Sequence, residues 1–100
     1  MDISDVQLKG SYYQIFDSKG KKISEIHNSH GDLCGYSAEF FVLEKGSYYV
    51  TYDSKAKKIA EIHSSHGDFR SASGSSFILK KGSYIISYDE RCKKIGERHI

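Results

Sequence analysis

The 100-residue sequence contains no proline, no tryptophan, one methionine and only two cysteines. Cys34 and Cys92 form no C-x-x-C pair, so the sequence supports neither a zinc ribbon nor a disulfide scaffold. No apolar run approaches the roughly 20 residues that a helix needs to cross a bilayer. The N-terminus also lacks the basic and apolar blocks of a signal peptide. These absences predict a soluble, cytoplasmic domain with no membrane segment.

Charge of one sign is also scarce. The chain carries 15 Lys+Arg against 13 Asp+Glu, a formal net charge of +2. This balance falls short of the strongly basic charge of dedicated nucleic-acid-binding domains, so nucleic acid is not the expected partner. Hydrophobic residues make up 38% of the chain, too many for a disordered protein.

What the chain does contain is a 36-residue repeat. The pattern Lys-Gly-Ser-Tyr begins at Lys9, Lys45 and Lys81. The first two copies agree at 21 of 36 positions, and the second and third agree at 11 of the 20 positions that they share. The repeat predicts three units in one domain, residues 9–44, 45–80 and 81–100, of which the third is incomplete.

Each unit has the composition of β-strands joined by turns. Residues 47–53 and their counterparts are rich in Tyr, Ile and Phe, which favour strands. Tyr48, Val50 and Tyr52 alternate along one strand face, and we expect this face to form the core. The recurring isoleucines are assigned to the same core: Ile23, Ile59 and Ile95.

A single hairpin is marginal in water, so the three units must share their core. We therefore predict an all-β fold of three pseudosymmetric antiparallel units, closed into a small barrel or a β-trefoil-like domain. The incomplete third unit leaves an unpaired strand edge, which favours a homodimer. Alternatively, the N-terminal segment, residues 3–8, folds across the gap.

The repeated pattern K-G-S-Y-x-x-x-[FY]-D-x-x-x-K-K-I spans nearly the whole chain. It resembles small uncharacterised bacterial proteins of the kind carried in integron gene cassettes. It is more loosely similar to WG-type repeats, although the Trp-Gly pair is absent. The resemblance brings no catalytic residues and implies an accessory bacterial protein that acts by binding.

Histidines offer one candidate site. His27, His63 and His99 occupy equivalent positions, so three-fold symmetry could bring them together around a Zn²⁺ ion. Alternatively, each histidine ends its strand for a packing reason. The run Ser29-His30-Gly31-Asp32 has the residue types of a hydrolase triad, but neighbours in one turn splay apart, so no catalytic residue is expected.

Tyrosines and lysines offer two further surfaces. Tyr13, Tyr36 and Tyr49 are predicted to point away from the core, where they could bind a protein, peptide or sugar or could pair across the sheet. The basic turns could bind a polyanion unless nearby acids neutralise them; their candidate residues are Lys21, Lys22, Lys57, Lys58, Lys93 and Lys94. The sequence thus favours a non-catalytic binding or interaction module without a cofactor. The alternatives are a protein or enzyme that uses a three-histidine metal site, and a protein that binds polyanions.

Overall fold

The computed structural model describes residues 2–100, which form eleven β-strands and two 3-10 turns. The strands are β1 (Asp5–Lys9), β2 (Tyr12–Phe16), β3 (Lys22–His27), β4 (Asp32–Tyr36), β5 (Phe40–Lys45), β6 (Tyr48–Asp53), β7 (Lys58–His63), β8 (Asp68–Ser73), β9 (Ser76–Lys81), β10 (Tyr84–Asp89) and β11 (Lys94–His99). The 3-10 turns, Asn28–His30 and Ser64–His66, follow β3 and β7. Over this part of the chain, no helix is long and apolar enough to cross a membrane.

Each strand pairs with its neighbours in the chain, which gives three antiparallel sheets. The first sheet contains β1–β3, the middle sheet β4–β7 and the last sheet β8–β11. The predicted all-β class is confirmed, and the structure contains three antiparallel sheets. The chain passes from one sheet to the next at the 3-10 turns rather than at the Lys-Gly hairpins. The three-stranded sheet is therefore the first, and the last sheet has all four strands.

The sheets pack face to face, with the middle sheet between the other two. One core cluster joins the first and middle sheets: Ile3, Val6, Tyr13, Ile15, Ile26, Phe41, Leu43, Val50 and Tyr52. A second cluster joins the middle and last sheets: Phe40, Val42, Tyr49, Ile62, Phe77, Leu79 and Tyr88. The fold is thus a stack of three layers with two cores.

Both faces of the middle sheet are buried, so alternate residues of β6 pack in opposite directions. Val50 and Tyr52 belong to the first cluster, whereas Tyr49 belongs to the second. The outward orientation predicted for Tyr13 and Tyr49 is wrong, because these side chains are only 7% and 4% exposed. A single inner face cannot describe a sheet that has a neighbour on each side.

Some residues that the sequence assigns to the core are exposed in the structure. Tyr48 begins β6 and is 43% exposed. Ile59 is half-buried against the second cluster, but its equivalent Ile95 is 59% exposed. Within residues 2–100, no further sheet packs on the outer face of the last sheet to cover Ile95, which explains the difference between the two isoleucines.

The predicted barrel or trefoil closure is not confirmed, because strands pair only within each sheet of the described chain. Of the strands from different sheets, β4 and β8 approach each other most closely. Gly35 permits this approach, since a Cβ atom there would lie 2.8 Å from Cε1 of Phe69. The edges of the middle and last sheets therefore meet where the Phe69 ring lies against the Gly35 backbone.

Polar residues replace some of the apolar residues at the two ends of the stack. Gln7 and Gln14 lie opposite each other on the outer face of the first sheet, at positions that correspond to Leu43 and Val50. On the last sheet, Arg98 takes the position that corresponds to Ile62. Terminal units of stacked repeat proteins are capped in this way. The homodimer stays a prediction from the sequence.

Candidate functional site

A groove opens where the first 3-10 turn meets the middle sheet. It encloses a cavity of about 320 Å³. We call it the middle site, and it is lined by three ring side chains, two lysines, a valine and a glutamate: His30, Tyr48, Tyr52, Lys45, Lys58, Val50 and Glu61. Only the histidine comes from the turn that precedes the sheet. The site therefore forms where the chain passes from the first sheet to the middle sheet.

Strand periodicity places the other side chains of the middle site. Tyr48 and Tyr52 share one face of β6 because side chains alternate along a strand. The antiparallel register sets Lys45 opposite Tyr48 and Lys58 opposite Tyr52. Three neighbouring strands therefore supply one continuous surface of rings and charges.

Contacts between neighbours hold these side chains in place. The His30 ring lies edge-on to Tyr52 with the ring centroids 6.5 Å apart. The Lys58 Nζ atom lies 2.5 Å from Glu61 Oε1, and this hydrogen bond raises the pKa of the Lys58 ammonium. Lys45 Nζ donates to the Ser29 carbonyl oxygen at 2.5 Å. The site is thus pre-organised by its own hydrogen bonds.

The same arrangement recurs between the second 3-10 turn and the last sheet. We call this the last site, and its residues are His66, Lys81, Tyr84, Ile86, Tyr88, Lys94 and Glu97. His66 lies edge-on to Tyr88 at 6.3 Å, and Lys94 pairs with Glu97. Lys81 Nζ donates to the Ser65 carbonyl oxygen at 2.9 Å. Six of the seven residue types match the middle site, and the seventh is Ile86 for Val50.

The first sheet carries only part of this arrangement. Tyr12 matches Tyr48, and the Lys22–Glu25 ion pair at 2.6 Å matches the Lys58–Glu61 pair. Gln14 and Phe16, however, stand where the middle site has Val50 and Tyr52. In residues 2–100, no 3-10 turn precedes β1 to supply a histidine. The first sheet is therefore an internal control for the two complete sites.

The histidines predicted to share a metal lie at the ends of three separate strands, one in each sheet. Each ring packs edge-on against the tyrosine opposite, and for His63 and Tyr48 the ring centroids are 5.2 Å apart. His27 Nδ1 accepts the Ser29 N–H at 3.0 Å, and His63 Nδ1 accepts the Ser65 N–H at 3.1 Å. His99 packs in the same way against Tyr84.

Across residues 2–100, no group of three or more His, Cys, Asp or Glu side chains is placed to hold a metal ion. The expected three-histidine site is therefore not formed. The prediction assumed that the units surround a common axis, whereas the sheets stack one behind another. Each strand-end histidine instead packs against a tyrosine of its own sheet.

The predicted tyrosine surface is reduced to one member. Tyr13 and Tyr49 are buried, and their hydroxyls accept the N–H groups of Leu33 and Phe69, which lie in the first strand of the following sheet. Tyr36 is exposed, and its hydroxyl donates to Asp5 Oδ1 at 3.3 Å. Tyr48 and Tyr84 do belong to the sites. The sequence assigns Tyr48 to the core because it lies on the same strand face as Val50 and Tyr52, and the same pattern recurs at Tyr84. The recurring Lys-Tyr-Lys-Glu spacing was the signal that could have found them.

The basic turns are only partly free to bind an anion. Lys22, Lys58 and Lys94 each pair with a glutamate three residues later. The side chains of the other lysines, Lys21, Lys57 and Lys93, are exposed, and their backbone N–H groups bond to the aspartates that begin the turns. Because the paired acids neutralise half of these charges, the turns provide a weaker polyanion surface than the lysine count suggests.

A second cavity, of about 450 Å³, lies at another junction of the stack. Carboxylates dominate its lining, which consists of Asp2, Glu39, Asp53, Ile59, Glu90 and Arg91. The acidic set is not repeated, since Ser75 corresponds to Glu39 and Ser54 to Glu90. This cavity therefore lacks the recurrence that distinguishes the middle and last sites.

Both cysteines are half-buried free thiols. Burial, with smaller contributions from Glu44 and Asp32, raises the pKa of Cys34 to about 12. Burial also raises the pKa of Cys92 to about 11. Thiolate is the reactive form, so these thiols are poor nucleophiles near neutral pH.

We expect iodoacetamide at pH 8 to modify both cysteines roughly a hundred- to a thousandfold more slowly than an unperturbed thiol. Cys92 should react before Cys34, and both rates should keep rising above pH 9, where an ordinary thiol levels off. Mass spectrometry of timed alkylation tests this. The urea-unfolded protein is the control, and equal rates in the folded and unfolded chains would contradict the prediction.

The chain matches no protein-family model and no curated protein sequence. The geometry and recurrence of the middle and last sites are therefore the features that point to a function.

Proposed function

We propose that the protein is a non-catalytic binding module that holds its ligand in the middle and last sites. The recurrence of the lining residues supports this proposal most directly. His30 is exposed and lies against Tyr52, and both residue types recur in the last site as His66 and Tyr88. The first sheet, which lacks the histidine, has Phe16 in place of the tyrosine. Exposed positions usually tolerate substitution at little cost in stability. Their repetition together is the pattern expected of a shared ligand.

The composition of the middle site fits binding better than chemistry. Ligand pockets combine apolar or aromatic walls with a few polar groups that orient the ligand. The rings of Tyr48 and Tyr52 form such walls, and the Lys58–Glu61 pair supplies a donor and an acceptor. The His30 ring is packed against Tyr52 rather than against a nucleophile.

Amide NMR spectra of the labelled protein, recorded with a library of small neutral and charged fragments, test the proposal. We expect the hits to shift amides of residues 45–52 and 58–61, together with those of residues 81–88 and 94–97. Tyr48→Ala should abolish the first set of shifts and leave the second. Hits confined to other surfaces, or an absence of hits, would overturn the assignment of both sites.

A further inference from the structure

The two sites have a chemistry that selects among ligand classes. Resting on the function proposed above, we infer that each site binds one uncharged, hydroxyl-rich ring, that is, one sugar residue. The charges, the ring faces and the size of the middle site support this class of ligand.

The middle site carries a formal charge of only +1, from two lysines and one glutamate. Lys58 and Glu61 form an ion pair, and the Lys45 ammonium is bound to a backbone carbonyl. An anion would meet Glu61, and a cation would meet two lysines. A hydroxyl group both donates and accepts hydrogen bonds. Neighbouring hydroxyls of a sugar can therefore accept from Lys58 and donate to Glu61 together.

The ring faces complete the match. Tyr48 is 43% exposed, and its edge-on contact with His63 fixes the orientation of the phenol ring. Tyrosine offers an apolar face and a polar tip, which suits the C–H face and the hydroxyl rim of a pyranose. A flat, fixed ring also loses little conformational entropy on binding.

The size of the site limits the ligand to about one ring. The cavity of about 320 Å³ is near the lower end of ligand pockets, which span roughly 300 to 1,000 Å³. Two such sites in one chain would raise the avidity for a ligand that presents the sugar repeatedly. Each site alone is expected to bind weakly, with a Kd on the order of 1 mM.

The test uses saturation-transfer and amide-shift NMR with glucose, galactose, mannose and N-acetylglucosamine, and with inorganic phosphate as the anionic probe. We expect at least one sugar to bind at both sites and phosphate not to bind there. Tyr48→Ala should weaken binding at the middle site roughly tenfold or more, and Tyr84→Ala should do the same at the last site. Tyr12→Ala is the matched control, because Tyr12 has the same histidine contact without a complete site, and it should change affinity less than about twofold.

The possible failures are distinguishable. If fragments bind the two sites but none of the four sugars does, the sugar assignment is wrong and the binding module stands. Phosphate bound in place of sugar would show an anion site instead. If Tyr12→Ala weakens sugar binding as much as Tyr48→Ala, the sugar does not use the complete sites. If fragments also miss both sites, the proposed function fails with the inference.

Discussion

Gly67→Ala is expected to lower the free energy of unfolding by about 3 kcal/mol or more. Gly67 ends the second 3-10 turn with φ 144°, a conformation that is nearly restricted to glycine. A Cβ atom there would also lie 2.8 Å from the Lys80 carbonyl oxygen, which belongs to the backbone and cannot move aside. Urea unfolding followed by circular dichroism measures the loss.

Gly46→Ala is the control for a milder positive φ without a close neighbour. Gly46 also has a positive φ, 59°, but a Cβ atom there has no heavy atom within 4 Å. Strain alone should cost about 1 kcal/mol. Equal losses for the two variants would contradict the prediction, because neither the φ of 144° nor the close approach to Lys80 would then add to the cost.

Phe77→Ala should destabilise the protein by about 3 to 5 kcal/mol. Phe77 is fully buried between the middle and last sheets. Its ring stacks on Phe69 and Tyr88, with ring centroids 6.2 and 5.6 Å away. Removing it leaves a cavity in the second core cluster and ends three aromatic contacts, the third with Phe40. The same urea titration gives the magnitude.

Ile95→Ala is the control for an apolar residue of the same sheet. Ile95 is 59% exposed, so the variant should lie within about 0.5 kcal/mol of the parent protein. The sequence assigns this residue to the core, and a loss comparable to that of Phe77→Ala would mean that the last sheet is covered on its outer face.

The strands could be predicted well because their signals are local. Aromatic and β-branched runs mark the strands, and the Lys-Gly-Ser runs that begin at Lys9, Lys45 and Lys81 mark three hairpins. The repeat also predicts three related antiparallel units, and the structure contains three such sheets. These features depend on contacts between neighbours in the chain, so the local sequence is enough to predict them.

The arrangement of the sheets could not be predicted in the same way. Whether Tyr49 is buried depends on a second sheet behind it, and no pattern within β6 reveals that sheet. Stacking and closure around an axis also demand the same alternation along each strand. The choice between them shows in non-local features, such as the room at Gly35 for Phe69.

The candidate site escaped prediction for a related reason. Its histidine and its sheet belong to different units when the repeat is divided at Lys45. His30 meets Tyr52 only after the turn brings one sheet against the next. The strand-end histidines recur and therefore resemble a shared metal site. Recurrence alone, however, does not distinguish a metal-binding residue from a residue that packs against its neighbour.

The meander connectivity has a consequence for folding kinetics. Every hydrogen-bonded ladder joins strands that are adjacent in the chain, so the contact order is low for an all-β protein. Loop closure therefore costs little before strands begin to pair. In stacked repeats, folding can start in any unit and spread to its neighbours. The middle sheet gains a packing partner on each face, so a folding nucleus that forms there should gain the most stabilising contacts as folding spreads.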